Sequence, residues 1–111
     1  MTHATVDNLI QELRRGVIVL AVLSLLADEQ YGYAVLKLLS EQGLEVDQGT
    51  LYPLLRRLEN QGLLESHWRL EEARQRKYYT ISSTGREVFP QLRHEWHKMA
   101  NTLDRLLQGA R

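Results

Sequence analysis

Cysteine is absent from this chain of 111 residues, which excludes disulfide staples, thiolate-ligated zinc and thiol catalysis. Long apolar runs are absent too. The longest, residues 17–27, is far shorter than the roughly 20 residues that cross a bilayer, and it lies too deep to be the apolar core of a cleaved signal peptide. A cytoplasmic protein with no membrane partner is expected. There is no excess of charge of either sign, with 14 Lys and Arg against 14 Asp and Glu, and this excludes a strongly basic nucleic-acid coat. No Gly-rich phosphate loop is present, no Ser, His and Asp stand in a nucleophile motif, and no two carboxylates have the spacing of an acid/base pair. The chain is therefore not expected to be an enzyme or to need a cofactor.

What is present suits one small globular domain, with 43% apolar and 25% charged residues. A domain this small buries a limited share of its surface, and such chains often gain stability by dimerising. The charge is unevenly spread. Residues 1–47 carry three Lys and Arg against seven Asp and Glu, a sum of −4, and residues 48–111 carry eleven against seven, a sum of +4. A neutral protein can thus present a basic face.

The most informative stretch is residues 46–64. Leu51, Leu54, Leu55 and Leu58 form the apolar stripe of a helix lying on a core, capped at its start by Asp47 or Thr50 and closed by Gly62. Pro53 falls early in this helix, and Gly49 can adjust beneath its ring. Tyr52, Arg56, Arg57 and Glu59 are left off the core face. Ahead of it, residues 6–27 predict a central helix, with an amphipathic first half (Val6, Leu9, Ile10, Leu13) and a second half apolar nearly all round and so buried on most sides. Arg14 and Arg15 interrupt that surface as a solvated patch, with a phosphate contact as the alternative. Asp28-Glu29-Gln30 is a polar break; Tyr31-Gly32-Tyr33 opens a helix with Val35, Leu36, Leu38 and Leu39 inward, and Gly43 ends it. This helix and the next, joined by a short Gly-containing turn, form a helix-turn-helix.

After Gly62 the apolar period falls to two. Leu64, Trp68 and Leu70 mark the inward face of one strand, residues 77–81 form its return, and residues 71–76 make a polar tip. Helix-turn-helix followed by a hairpin is a winged helix, mainly α with a small β-hairpin (α+β). Arg74, Arg76 and Lys77 then lie where a wing meets a phosphate backbone or a minor groove. Ser82, Ser83 and Thr84 offer caps for a last helix running to about residue 108, with Thr84 and Glu87 at capping-box spacing and Pro90 bending it early. Along it Phe89, Leu92, Trp96, Met99, Leu103 and Leu106 recur at alternating spacings of three and four, a coiled-coil seam that asks for a partner, most economically its own copy. Residues 1–82 would form the DNA-binding part and residues 83–111 the dimerisation helix, packed as one compact unit. His94 and His97 lie three apart on that helix. They are weak metal candidates for want of a third ligand.

Gly32-Tyr33, the block GTLYPLLRRLE from Gly49 to Glu59 with Gly62-Leu63-Leu64, and Arg76-Lys77-Tyr78-Tyr79 with Thr84-Gly85 resemble the PadR family of bacterial transcriptional regulators, over about residues 13–107. A single terminal helix looks like its short subfamily. The resemblance implies a homodimeric winged-helix repressor of a double-stranded DNA operator, in which the C-terminal helix crosses the partner's N-terminal helix. It implies DNA contacts from Tyr33 and Lys37, from Thr50, Tyr52, Arg56 and Arg57, and from Arg74, Arg76 and Lys77. It also implies a dimer interface at Leu92, Trp96, Met99, Leu103 and Leu106, where some members take flat aromatic or phenolic effectors on which Trp96 could stack. The wing departs from the family's pattern, with Arg74-Gln75-Arg76 where members often have Gly. Alternatives are a winged helix that holds another protein through its Tyr- and Arg-bearing surface, and a metal-responsive regulator.

Overall fold

Among the described residues, 3–109 of a computed structural model, four helices surround a three-stranded antiparallel sheet: α1 (His3–Leu25), β1 (Gln30–Tyr31), α2 (Gly32–Glu41), α3 (Gln48–Asn60), β2 (Leu64–Glu71), β3 (Arg74–Ile81) and α4 (Ser83–Gly109). The α+β winged-helix architecture expected from the periodicities is the one observed. The core gathers Ile18, Val22 and Leu23 of α1, Leu26 just beyond it, Val35 and Leu39 of α2, the four leucines of α3, and Leu64, Tyr79 and Ile81 of the hairpin.

Helix α3 forms for the reasons its spacing suggests. Leu51, Leu54, Leu55 and Leu58 are all buried. Of the two candidate caps Asp47 serves, its carboxylate accepting the Thr50 backbone N–H at 2.8 Å. At the other end Gly62 takes a left-handed φ of 79°, and the Leu63 N–H closes on the Leu58 carbonyl at 2.9 Å.

Four local expectations are corrected. Helix α1 is buried on one face only: Val17, Val19 and Leu20 are half-buried and Ser24 is exposed, because α2 and α4 cover it incompletely. Its amphipathic first half, Val6, Leu9, Ile10 and Leu13, is exposed as well. The polar break before α2 contains β1, which pairs Gln30 with Tyr79 and Tyr31 with Tyr78. Two residues are too few to show a period, and Tyr31 ends up as the residue ahead of the helix. The capping box at Thr84 does not form. Instead Ser82 Oγ accepts the Gly85 N–H at 3.0 Å and donates to the Gly62 carbonyl at 2.6 Å, so one hydroxyl ties α4 to the end of α3.

The hairpin is the fourth correction. Its ladder runs from Leu64 opposite Ile81 out to Glu71 opposite Arg74, leaving Glu72-Ala73 alone as the turn in place of a six-residue tip. Both turn residues have positive φ, 49° and 63°, the geometry of a two-residue hairpin turn that usually draws Asn-Gly. Trp68 and Leu70, expected inward, are each 65% exposed. The strands extend past the edge of the helical core, so alternation continues where there is nothing left to cover the inward face.

Helix α4 continues unbroken through Pro90, and its start is pressed against the sheet. A Cβ on Gly85 would lie 2.3 Å from the Leu63 carbonyl oxygen and 2.6 Å from Ile81 Cγ1, a space only glycine fills. The seam divides in two: Phe89 and Leu92 pack against the core, whereas Trp96, Met99, Leu103 and Leu106 are exposed. No helix among the described residues is long and apolar enough to cross a membrane.

Candidate nucleic-acid interface

Three elements converge on one open groove of about 620 Å³: the start of α2 (Tyr31, Gly32, Tyr33), the outer flank of α3 (Tyr52, Arg56) and the hairpin (Trp68, Arg74, Gln75, Arg76, Lys77, Tyr79). Helices α2 and α3 can approach this closely because residue 32 is glycine; a Cβ there would lie 2.7 Å from the Tyr52 ring. Of the nine residues expected to contact DNA, this groove brings together six, namely Tyr33, Tyr52, Arg56, Arg74, Arg76 and Lys77. Thr50 and Arg57 instead line a second depression of about 680 Å³ on the opposite flank of α3, which they share with Arg14 and Arg15 of α1. Adjacent positions on a helix point about 100° apart, which is why Arg56 and Arg57 part company. Lys37, one turn on from Tyr33, is exposed on α2 and lines neither depression.

The cations of the hairpin are held in place by aromatic rings and carboxylates. The Arg76 guanidinium sits 4.5 Å from the centre of the Tyr31 ring and 3.8 Å from Glu71. Lys77 Nζ lies 3.3 Å from Glu59 of α3 and 5.3 Å from the Tyr79 ring. Ser66 also donates to Glu59, so this one carboxylate fastens both strands to the helix. By contrast Arg56, Arg57 and Arg74 form no ion pair among the described residues, leaving three guanidinium groups available to an anion.

The far face of the hairpin is secured to the body. Arg69 pairs with Glu29, which also takes His67 at 3.0 Å, and the Arg69 guanidinium stacks 4.0 Å from the Tyr78 ring. The hydrogen bond to Glu29 holds Arg69 above its ordinary pKa. Tyr78 donates its phenol to Glu71 at 2.5 Å, and this bond is the main reason that its pKa is raised. Each of these contacts contributes little to stability by itself, but through Glu29 they tie β2 to the segment ahead of β1. Glu29, Glu59, Arg69, Glu71 and Tyr78 are given no role at the site by the sequence. Their roles depend on cross-strand register, which counting outward from a two-residue turn would have supplied.

The grooves are basic, aromatic and shallow, suited to a phosphate-bearing surface rather than to enclosing a substrate. Among the described residues no three metal-ligating side chains come together, and His97 packs edge-on against Trp96 at 5.2 Å.

Comparison with known proteins agrees with this architecture. The model of the Transcriptional regulator PadR-like family matches residues 19–91. The chain is 36% identical over 91 residues to the transcriptional regulator Rv3488 of Mycobacterium tuberculosis, covering 81% of this chain and 85% of that one. Its structure superposes on a PadR family transcriptional regulator from Eggerthella lenta with a TM-score of 0.89 at 40% identity, covering 96% of both chains. A PadR-like transcription factor from Bacteroides fragilis gives 0.74 at 31% identity, covering 90% of this chain and 99% of the other. These relatives are regulators of transcription, not enzymes, and the chain belongs to the PadR-like family of transcriptional regulators.

Proposed function

We propose that the protein is a cytoplasmic homodimeric repressor that binds a double-stranded DNA operator through α3 and the hairpin. The observation that carries this reading is the convergence of Tyr33, Tyr52 and Arg56 with Arg74, Arg76 and Lys77 on one groove, with Arg56 and Arg74 in no ion pair among the described residues. In such a complex α3 enters the major groove, Arg56 and Tyr52 reach base edges or phosphates, and the hairpin cations meet the backbone beside it. Thr50 and Arg57 extend the contact on the α1 side, and Lys37 extends it from α2.

The dimer rests on two exposed apolar stripes, Val6, Leu9, Ile10 and Leu13 on α1 and Trp96, Met99, Leu103 and Leu106 on α4, with Leu92 at the edge of the second. Water-exposed stripes of that length call for a cover, and crossing α4 over the partner's α1 supplies one. An apolar hollow of about 290 Å³ between α1 and α4, floored by Leu20 and Phe89 and edged by Trp96, supports release by a flat aromatic or phenolic effector. Such a ligand would alter the separation of the two α3 helices and spoil their simultaneous insertion one helical turn apart.

The test is a titration of duplex DNA across ionic strength. Steep weakening with added salt, together with lost sequence preference in Arg56→Ala, is the expected result; affinity for DNA that is absent, or indifferent to salt, overturns the reading.

A further inference from the structure

Trp68 and Leu70 face the same side of β2 as Leu64 and Ser66, two and four residues on from Ser66's bond to α3. That side looks into the groove between hairpin and α3. Trp68 stands directly across the ladder from Lys77, Leu70 across from Gln75, and both side chains are 65% exposed. An indole left in water across the ladder from Lys77, in a groove that Arg56 and Arg74 also line, is a neutral, flat surface among cations. A polyanion with apolar facets matches that arrangement. Nucleic acid has this composition: phosphate oxygens alternate with deoxyribose rings that expose carbon.

We propose that Trp68 is a DNA-backbone contact, its ring packed on a deoxyribose and its Nε1–H donated to a neighbouring phosphate oxygen, with Leu70 continuing the apolar contact towards the hairpin turn. Indole has a single N–H donor, enough for a phosphate oxygen but short of the bidentate pairs that distinguish one base from another. Because the side chain is uncharged, it adds affinity without displacing counterions, and because sugars are alike in every sequence, it adds the same amount to any duplex. Arg56, in no ion pair among the described residues, then neutralises the phosphate while Trp68 packs the sugar beside it, and the Lys77–Glu59 bridge holds the hairpin at a fixed height above α3.

This rests on the DNA reading above, and the experiment separates the two. Wild type, Trp68→Ala, Trp68→Phe and Arg56→Ala are titrated with the operator recovered by sequencing DNA that the protein retains from its own genome, and with a scrambled duplex of equal length. Trp68→Ala is expected to weaken both duplexes by about tenfold with an unchanged salt slope, and Trp68→Phe to lose part of that. The chain has only two tryptophans, so the fluorescence difference between wild type and Trp68→Phe isolates Trp68, and it should change on adding either duplex. Wild-type DNA binding with no change in this signal and no loss in Trp68→Ala overturns the proposal while leaving the DNA reading intact. Failure of wild type to bind any duplex overturns both. A Trp68→Ala protein that sediments as a monomer where wild type is dimeric also overturns it, by assigning Trp68 to a protein interface.

Discussion

Lys77 reaches across from the returning strand of the hairpin to within 3.3 Å of the Glu59 carboxylate on α3. The same carboxylate accepts the Ser66 hydroxyl from the outgoing strand, so one acidic side chain on the helix grips both arms of the wing. Glu59→Ala is expected to cost no more than about 1 kcal/mol of global stability, since the pair is partly solvated. Its larger effect is local. Amide hydrogen exchange in β2 and β3 beyond the core should accelerate while protection of α4 is unchanged. Equal exchange in the variant and wild type would mean that the backbone ladder alone holds the wing.

Much of α3 was legible because its signals agree: a leucine stripe at helical spacing, Asp47 ahead of it, Gly62 behind it. The wing was legible as a hairpin but not in its depth. Alternation gives the faces of a strand, and Trp68 follows the pattern set by Leu64, yet whether a face is covered depends on where α3 ends, which is a tertiary fact. The turn was hidden for a different reason. Glu72-Ala73 adopts a conformation that its residue types disfavour, held by eight cross-strand pairs rather than by its own chemistry. Similarly the 100° step between Arg56 and Arg57 is readable in the sequence, but which depression each one lines depends on the helix's placement between α1 and the hairpin.

Two glycines in helices should respond to the same substitution with opposite signs. Gly16, in α1, has nothing within 4 Å of where a Cβ would stand, so Gly16→Ala should stabilise by about 0.5–1 kcal/mol through reduced freedom of the unfolded chain. Gly85→Ala instead forces a methyl against the Leu63 carbonyl and Ile81, so a loss of about 1–3 kcal/mol is expected despite the better helix propensity of alanine. Urea denaturation midpoints measure both. A stabilised Gly85→Ala would show that α4 can withdraw from the sheet without cost.

Tyr78 links the wing's stability to alkaline pH. Its hydrogen bond to Glu71, desolvation and the nearby carboxylate charge raise its pKa, and Arg69 and Arg76 only partly oppose them. The folded state thus favours the neutral phenol, and that contribution is fully present below the unfolded value of about 10 and lost as pH rises through the higher folded one. Tyrosinate absorbance, taken as the difference between wild type and Tyr78→Phe, should show this phenol ionising above the ordinary range. Glu71→Gln should bring it down. An unchanged titration in Glu71→Gln would remove the carboxylate as the cause.

Leu103 distinguishes the fold of one protomer from its association with another. It is exposed on α4, beyond the point where Phe89 and Leu92 leave the core, so Leu103→Glu should leave the thermal unfolding of an isolated protomer almost unchanged. In the proposed dimer the same substitution places a carboxylate in the apolar seam of each subunit, where its desolvation is unpaired. Sedimentation should therefore shift from dimer to monomer at micromolar concentration. Operator affinity should fall with it, on the order of 100-fold, because a second half-site held by a tethered partner contributes through effective concentration and a free monomer lacks it. Scrambled duplex, bound without register, should lose much less. A Leu103→Glu protein that remains dimeric would move the interface away from α4, and with it the route by which a ligand beside Trp96 could reach the DNA-facing helices.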